Sequence, residues 1–313
     1  MTPPATAVLL MAYGTPRRPE DIEAYYTDVR RGRPPTPELL ADLVRRYTAI
    51  GGLSPLLERT EAQAAGLRRA LDARAPGQFR VDLGLKHAAP FIEETVERVI
   101  GEGVRRIVGL VLAPHFSAFS VGQYLGRVRE RAAALDPGVE VLGIEEWHLE
   151  PVYLDFLAAQ VAAGLARLPA RTRVLFSAHS LPSRIVDLGD PYPDQLRATA
   201  AAVAERLGGT VGAGWSTAWQ SAGRTPEPWL GPDVRDVITD LAATGQADGV
   251  LVCPCGFVSD HLEILYDLDL EARAVADEAG IAFARTDVVY DDPDVLGALA
   301  GRVVTTVLTA SVD

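Results

Sequence analysis

The sequence predicts an α/β protein built from two similar Rossmann-like domains, each a doubly wound parallel sheet with helices on both faces. Three observations carry this expectation. Short apolar, β-branched runs alternate with longer amphipathic stretches along the whole chain, as in a parallel sheet buried under helices. The two halves open alike, with VLLMAYGTPRRPEDIEAYY at residues 8–26 and VLFSAHSLPSRIVDLGDPY at 174–192. At 313 residues, the chain also exceeds the usual span of one compact core.

Each short run is too apolar for a half-exposed strand and too brief for a helix, so each reads as a buried strand. In the first half these are AVLLMAY (7–13), FRVDLGL (79–85), RRIVGLVLA (105–113) and VEVLGI (139–144). The stretches around them, 19–30, 36–49, 55–74, 91–102, 120–135 and 150–168, read as helices. In the second half the strands are TRVLFSA (172–178), TVGAGWS (210–216), DGVLVC (248–253) and IAFARTDVV (281–289), with helices over 190–207, 231–244, 260–279 and 292–310. A looser echo pairs IVGLVLAPHFSAFS with GVLVCPCGFVSD, each a strand ending in a proline loop. The expected domains are 1–148 and 149–313, facing one another across a cleft, with the last helix free to pack back on the first. Tyr13 and His179 then occupy matching places just past the first strand of each half, the edge where open α/β sheets bind ligands.

A formal net charge of −12 opposes a broad nucleic-acid or anionic-membrane surface, because both need a cationic face. Cys253 and Cys255 are the only cysteines, too few for a secreted disulfide scaffold and suited to a reducing compartment. No apolar stretch approaches the roughly 20 residues that span a bilayer. The start, MTPPATAVLLMAYG, lacks the basic region of a secretory leader, so a soluble cytoplasmic protein is expected. Absence of GxGxxG after a strand and of GxxxxGK[ST] removes the best support for nucleotide chemistry.

Among residues able to carry chemistry, His179 in FSAHSLP is an imidazole on a strand end, although such a histidine is more often structural. Glu263, Asp267 and Glu271 recur every four residues in GFVSDHLEILYDLDLEA and drift by only about 40° per step on an α-helix. Three aligned carboxylates without interleaved lysines favour a hydrated cation or an elevated pKa; the bland alternative is a solvated acidic face. The segment RRGRPP from Arg30, with Arg45, Arg46, Tyr47 and Ser54, concentrates positive charge suited to a carboxylate ligand or to local ion pairing. Tyr13, Tyr124 and Trp229 are able to stack on a flat ring but equally serve as packing. His87 ends another strand and is a candidate for a second metal path, His261 for orienting the acidic helix, and His115 and His148 for structural roles.

Eight segments together carry a resemblance: MAYGTP (11–16), YTAIGG (47–52) followed by LSPL, GLKH (84–87), LAPHFSAFSVGQY (112–124), SAHSLP (177–182), GDPYPDQL (189–196), WQSAGRTPEPWLGPD (219–233) and GFVSDHLEILYDLD (256–269). In this order they resemble the ferrochelatases over nearly the whole chain. The resemblance implies a porphyrin cleft and insertion of Fe(II), with His179 and Glu263 as the catalytic pair that handles the metal and the two pyrrole protons. A neutral imidazole beside the carboxylate is the expected acceptor, typically worth about 10² to 10⁴ in rate. Asp267 and Glu271 resemble further carboxylates of a secondary divalent-cation site.

MAYGTP, with Tyr13, is similar to the coproporphyrin III type of Gram-positive and actinobacterial lineages. There Tyr13 implies the axial contact with product iron, and Arg30, Arg46, Tyr47, Ser54 and Tyr124 imply the surroundings of the macrocycle and its propionates. Fe(II) is expected as substrate, with no tightly bound cofactor and no iron-sulfur cluster, since two cysteines cannot supply four ligands. A monomer in transient contact with the next enzyme of the pathway is expected. Alternatives are a protoporphyrin IX ferrochelatase, a cobalt or nickel tetrapyrrole chelatase, and a non-catalytic porphyrin carrier.

Overall fold

The computed structural model describes residues 6–208 and 211–310. The chain divides into two compact units. The first takes the residues up to Ala113, Ser120–Glu146 and those from Tyr290 onward; the second takes Pro114–Phe119 and Trp147–Val289.

In the first unit β1 (Thr6–Ala12), β2 (Phe79–Leu85), β3 (Arg106–Val111) and β4 (Glu140–Ile144) form a parallel sheet in the order β2-β1-β3-β4. Every residue of β1 is buried, as expected of a central parallel strand covered on both faces. A 3-10 turn at Pro19–Asp21 leads into α1 (Ile22–Val29), followed by α2 (Pro37–Ala49), α3 (Leu56–Arg74), α4 (Ile92–Gly101) and α5 (Val121–Leu135). α2 starts where it does because Thr36 accepts a hydrogen bond from the Leu39 amide at 3.4 Å and Pro37 is pre-set at the first helical position. α5 approaches the sheet closely only because residue 109 is glycine; a Cβ there would lie 2.6 Å from Leu125 Cδ2.

The second unit repeats the plan. β5 (Thr172–His179), β6 (Trp215–Gln220), β7 (Gly249–Cys253) and β8 (Ala282–Arg285) are parallel in the order β6-β5-β7-β8. Its helices are α6 (Pro151–Leu165), α7 (Arg184–Asp187), α8 (Tyr192–Arg206), α9 (Val234–Ala243), α10 (Leu262–Leu265), a π-helix (Asp267–Ala272) and α11 (Arg273–Ala279). Leu175, Ile238, Val250, Leu268, Ala272 and Phe283 share one buried cluster, so the acidic segment is anchored by its own apolar residues. The Pro114–Phe119 segment is held within this unit by side chains at the start of α8 and just before it. Gln195 accepts from the Phe116 amide at 2.7 Å, and Asp190 accepts from Ser117 Oγ at 2.9 Å and from the Ala118 amide at 2.8 Å.

After β8 the chain returns to the first unit, where α12 (Pro293–Ala310) packs on α3. A Cβ at Gly66 would lie 2.4 Å from Leu296 Cδ1, so this glycine sets how near the two helices lie.

The same strand order in both sheets makes the sequence echo a structural repeat, and the expected α/β class stands. Three elements differ from expectation. β6 runs over Trp215–Gln220 rather than 210–216, because Gly212 and Gly214 take positive φ and spend that stretch in a turn; Thr210 lies outside the described residues. β8 stops at Arg285, four residues before the apolar run ends. The helix expected over 260–279 is three pieces with a π-helix in the middle.

Candidate active site

β5 carries His179 to the carboxyl edge of its sheet, where it pairs in register with Gln220 of β6. Both ring nitrogens face acceptors: Nδ1 donates to the Ser180 carbonyl, and Nε2 lies 3.4 Å from Glu263 Oε1. An imidazole with an acceptor on each nitrogen is best satisfied when both carry protons. Burial alone would lower its pKa, but the charge and hydrogen bond of Glu263, with the Ser180 carbonyl and the charge of Asp267, raise it to about 9. At neutral pH the ring is therefore cationic, where the sequence led us to expect a neutral one; the sequence does not report a carboxylate arriving from 84 positions away.

Glu263 sits on α10, one-third exposed, like His179. Its second oxygen meets His261 Nε2 at 3.3 Å. Burial pushes its carboxyl up, yet the facing His179, then His261, hold it well below the usual carboxylate range. The backbone beneath it is fixed by Gln220, buried at the end of β6, whose Nε2 donates to the Glu263 carbonyl at 3.0 Å while its Oε1 accepts from Ser177 Oγ at 2.9 Å. Tyr192 OH donates to the His179 carbonyl at 3.1 Å. Trp229 stands with its ring 6.5 Å from that of His179.

Beyond Glu263 the chain widens into the π-helix: the Glu271 amide reaches back to the Tyr266 carbonyl at 3.0 Å, a span of five residues. Asp267 is buried and accepts from Ser221 Oγ at 2.5 Å; Ser221 itself holds a left-handed φ of 60°. Glu271 is paired with Arg235 of α9 at 3.0 Å. The three carboxylates are thus not bare, since His261 at the start of the same helix and a histidine, a hydroxyl and an arginine from elsewhere in the unit meet them. Among the described residues no group of three or more His, Cys, Asp or Glu side chains is gathered to hold a metal ion.

In the first unit Tyr13 follows β1 directly and is 42% exposed, unusual for so large a side chain at a sheet edge. Its ring lies 4.5 Å from that of His87, which is bound through Nδ1 to Asp28 Oδ2 at 2.7 Å. Burial lowers the pKa of His87 despite Asp28. Lys86 donates to Gln123 Oε1 at 2.8 Å and lies 5.0 Å over the ring of Tyr124, which is buried. Burial, then repulsion from Arg127 and Arg31, brings that lysine down to about 8. Arg30 closes α1, Arg46 and the buried Tyr47 end α2, and Ser54 accepts from the Leu56 amide at 3.2 Å at the start of α3.

The remaining histidines and both cysteines are internal. His115 and His148 stack at 5.5 Å, and His115 Nε2 bonds Thr199 Oγ1 at 2.9 Å. Cys253 and Cys255 are buried free thiols, and burial pushes that of Cys255 up. Gln220, Ser221 and Arg235 were passed over in the sequence. The one signal for the first two was a polar pair directly after the apolar start of WQSAGRTP, at and just past the end of a strand whose expected span stopped at 216.

Comparisons with known proteins agree along the chain. The family model described as Ferrochelatase matches residues 5–307. A coproporphyrin III ferrochelatase of Halalkalibacterium halodurans is 46% identical over 303 residues, 96% of each chain. One of Geobacillus kaustophilus is 45% identical, covering 97% of this chain and 96% of its own. Among solved structures, the sirohydrochlorin chelatase SirB of Bacillus subtilis subspecies spizizenii, in complex with cobalt, aligns with a TM-score of 0.55 at 13% identity over 96% of this chain and 94% of its own, a likeness of fold alone.

Proposed function

Since the chain belongs to the ferrochelatase family, we propose that it inserts Fe(II) into coproporphyrin III, releasing two protons and giving the iron complex for haem b synthesis. Full-length relatives near 45% identity, named for that substrate, support the choice, as does Tyr13 in MAYGTP. The observation that carries the reading is the His179–Glu263 pair, 3.4 Å apart on the carboxyl edge of the second sheet.

Metal insertion exchanges two pyrrole N–H protons for one dication. In the resting protein the shared proton rests on His179, stabilised by Glu263. An approaching Fe(II) repels the imidazolium and is attracted by the carboxylate, so iron arrival drives that proton out to solvent and leaves a neutral imidazole beside the site. The freed ring then takes the two pyrrole protons in turn, passing the first to solvent before it accepts the second, and Glu263 balances the imidazolium charge at each transfer. Asp267 extends the negative surface toward Glu271. A cleft that binds the puckered macrocycle better than the flat one lowers the barrier further.

In the first unit we assign Tyr13 to the axial contact with product iron, and Arg30, Arg46, Tyr47, Ser54 and Tyr124 to the macrocycle and its propionates. The assignment of carboxylates to Arg30 and Arg46 follows from the bidentate chemistry of guanidinium. We take the enzyme to work in the cytoplasm as a monomer without a resident cofactor or cluster. Its acidity and its two buried thiols support this, and no described helix is long and apolar enough to cross a membrane.

The test is anaerobic Fe(II) insertion with coproporphyrin III and protoporphyrin IX side by side, in the unaltered protein and in His179→Ala. Coproporphyrin III should be preferred, and the variant should lose turnover while still binding porphyrin. Preference for protoporphyrin IX would overturn the substrate, and near-normal turnover in the variant would overturn the role of His179.

A further inference from the structure

Along the acidic line, compensation changes character. Glu263 faces two imidazoles, whose charge depends on pH, and Asp267 meets a neutral hydroxyl. Glu271 meets a guanidinium: Arg235 Nη1 donates to Glu271 Oε2 at 3.0 Å. The same group forks onto Asp233, Nε to Oδ1 at 2.9 Å and Nη2 to Oδ2 at 3.2 Å. Asp233 is itself fixed as the N-cap of α9, accepting from the Arg235 amide at 2.9 Å. One side chain thereby joins two carboxylates from two elements. Its charge is permanent, because a guanidinium does not deprotonate in proteins. A hydrated divalent cation between Asp233 and Glu271 would require the same two carboxylates and the removal of that charge.

We infer that Arg235 is a built-in cation at the outer end of the acidic helix, taking with Asp233 and Glu271 the place of a secondary divalent ion. The enzyme then needs no such ion, and the line of carboxylates left to incoming iron ends at Asp267. Its meaning for the iron path rests on the proposed function; the occupancy itself does not. Without the guanidinium, Asp233 and Glu271 would face each other uncompensated, the condition that draws in a divalent cation.

The experiment titrates the porphyrin-free full-length protein with Mn²⁺ and follows free Mn²⁺ by electron paramagnetic resonance. It uses the unaltered protein, Glu271→Gln, Arg235→Gln, Arg235→Lys and the double variant Arg235→Gln with Glu271→Gln. Glu271→Gln should leave Mn²⁺ binding to the unaltered protein as it was. Arg235→Gln should gain one site at least tenfold tighter than any Glu271-dependent binding in the unaltered protein, the double variant should lose it, and Arg235→Lys, which keeps the charge, should not gain it. A site in the unaltered protein that Glu271→Gln weakens tenfold would overturn the inference, as would no gain in a folded Arg235→Gln. Because no porphyrin is present, failure here is distinct from failure of iron insertion.

Discussion

At His179 the two ring nitrogens are spoken for by a carbonyl and a carboxylate, and this decides its behaviour in water. Its ring titration, followed by NMR, should have a midpoint near 9. The pair's contribution to stability is then full below about 6.5, the ordinary imidazole value, and is lost as pH rises through about 9. For catalysis the sign is opposite, since the acceptor is the unprotonated ring. kcat/KM should climb about tenfold per pH unit below 9 and level off above it. Glu263→Gln removes the charge that holds the proton, leaving burial to dominate, and should move the midpoint below 6.5. A midpoint near 6.5 in the unaltered protein would contradict the geometry. The residue type, and its place on a strand end, were legible in SAHSLP. Its protonation was not, because that depends on a partner two strands and three helices further along the chain.

The acidic helix works as an element only because the sheet beside it holds it in place. Gln220 spans the gap, accepting from Ser177 on β5 and donating to the Glu263 carbonyl. Gln220→Leu leaves that hydroxyl and that carbonyl without their buried partner, which should cost about 1–3 kcal/mol in a denaturant melt. With the Glu263 backbone released, kcat should fall on the order of 10²-fold while KM for porphyrin changes little. A loss of stability with kcat intact would show that Gln220 only supports the fold. Alternation of strand and helix was readable throughout, since near-continuous apolar runs are what a two-sided parallel sheet requires. What escaped was local. Gly212 and Gly214 moved the start of β6, and one residue's extra width turned a regular helix into a π-helix, for which the apolar spacing of Leu262, Ile264, Leu265 and Leu268 carries no mark. The Arg235–Glu271 pair joins residues 36 apart on separate helices and has no sequence pattern at all.

At the scale of the molecule the duplicated strand order is the plainest outcome of the echo between MAYGTP and SAHSLP. Neither unit is one continuous stretch: the first recovers α12 from the far end of the chain, a return the sequence led us to allow for, and the second borrows Pro114–Phe119, which it did not signal. The glycine at position 66, shaped to receive Leu296, records that return. Removing the residues from Tyr290 onward should leave the second unit resistant to limited proteolysis while the first is cut, because α3 has lost its cover. Equal cleavage of both would argue that α12 is dispensable. For a chain emerging from a ribosome, the consequence is an inverted schedule. The half translated first is the half finished last, waiting with an uncovered helix until the segment from Tyr290 onward arrives, while the later half already has every segment it needs.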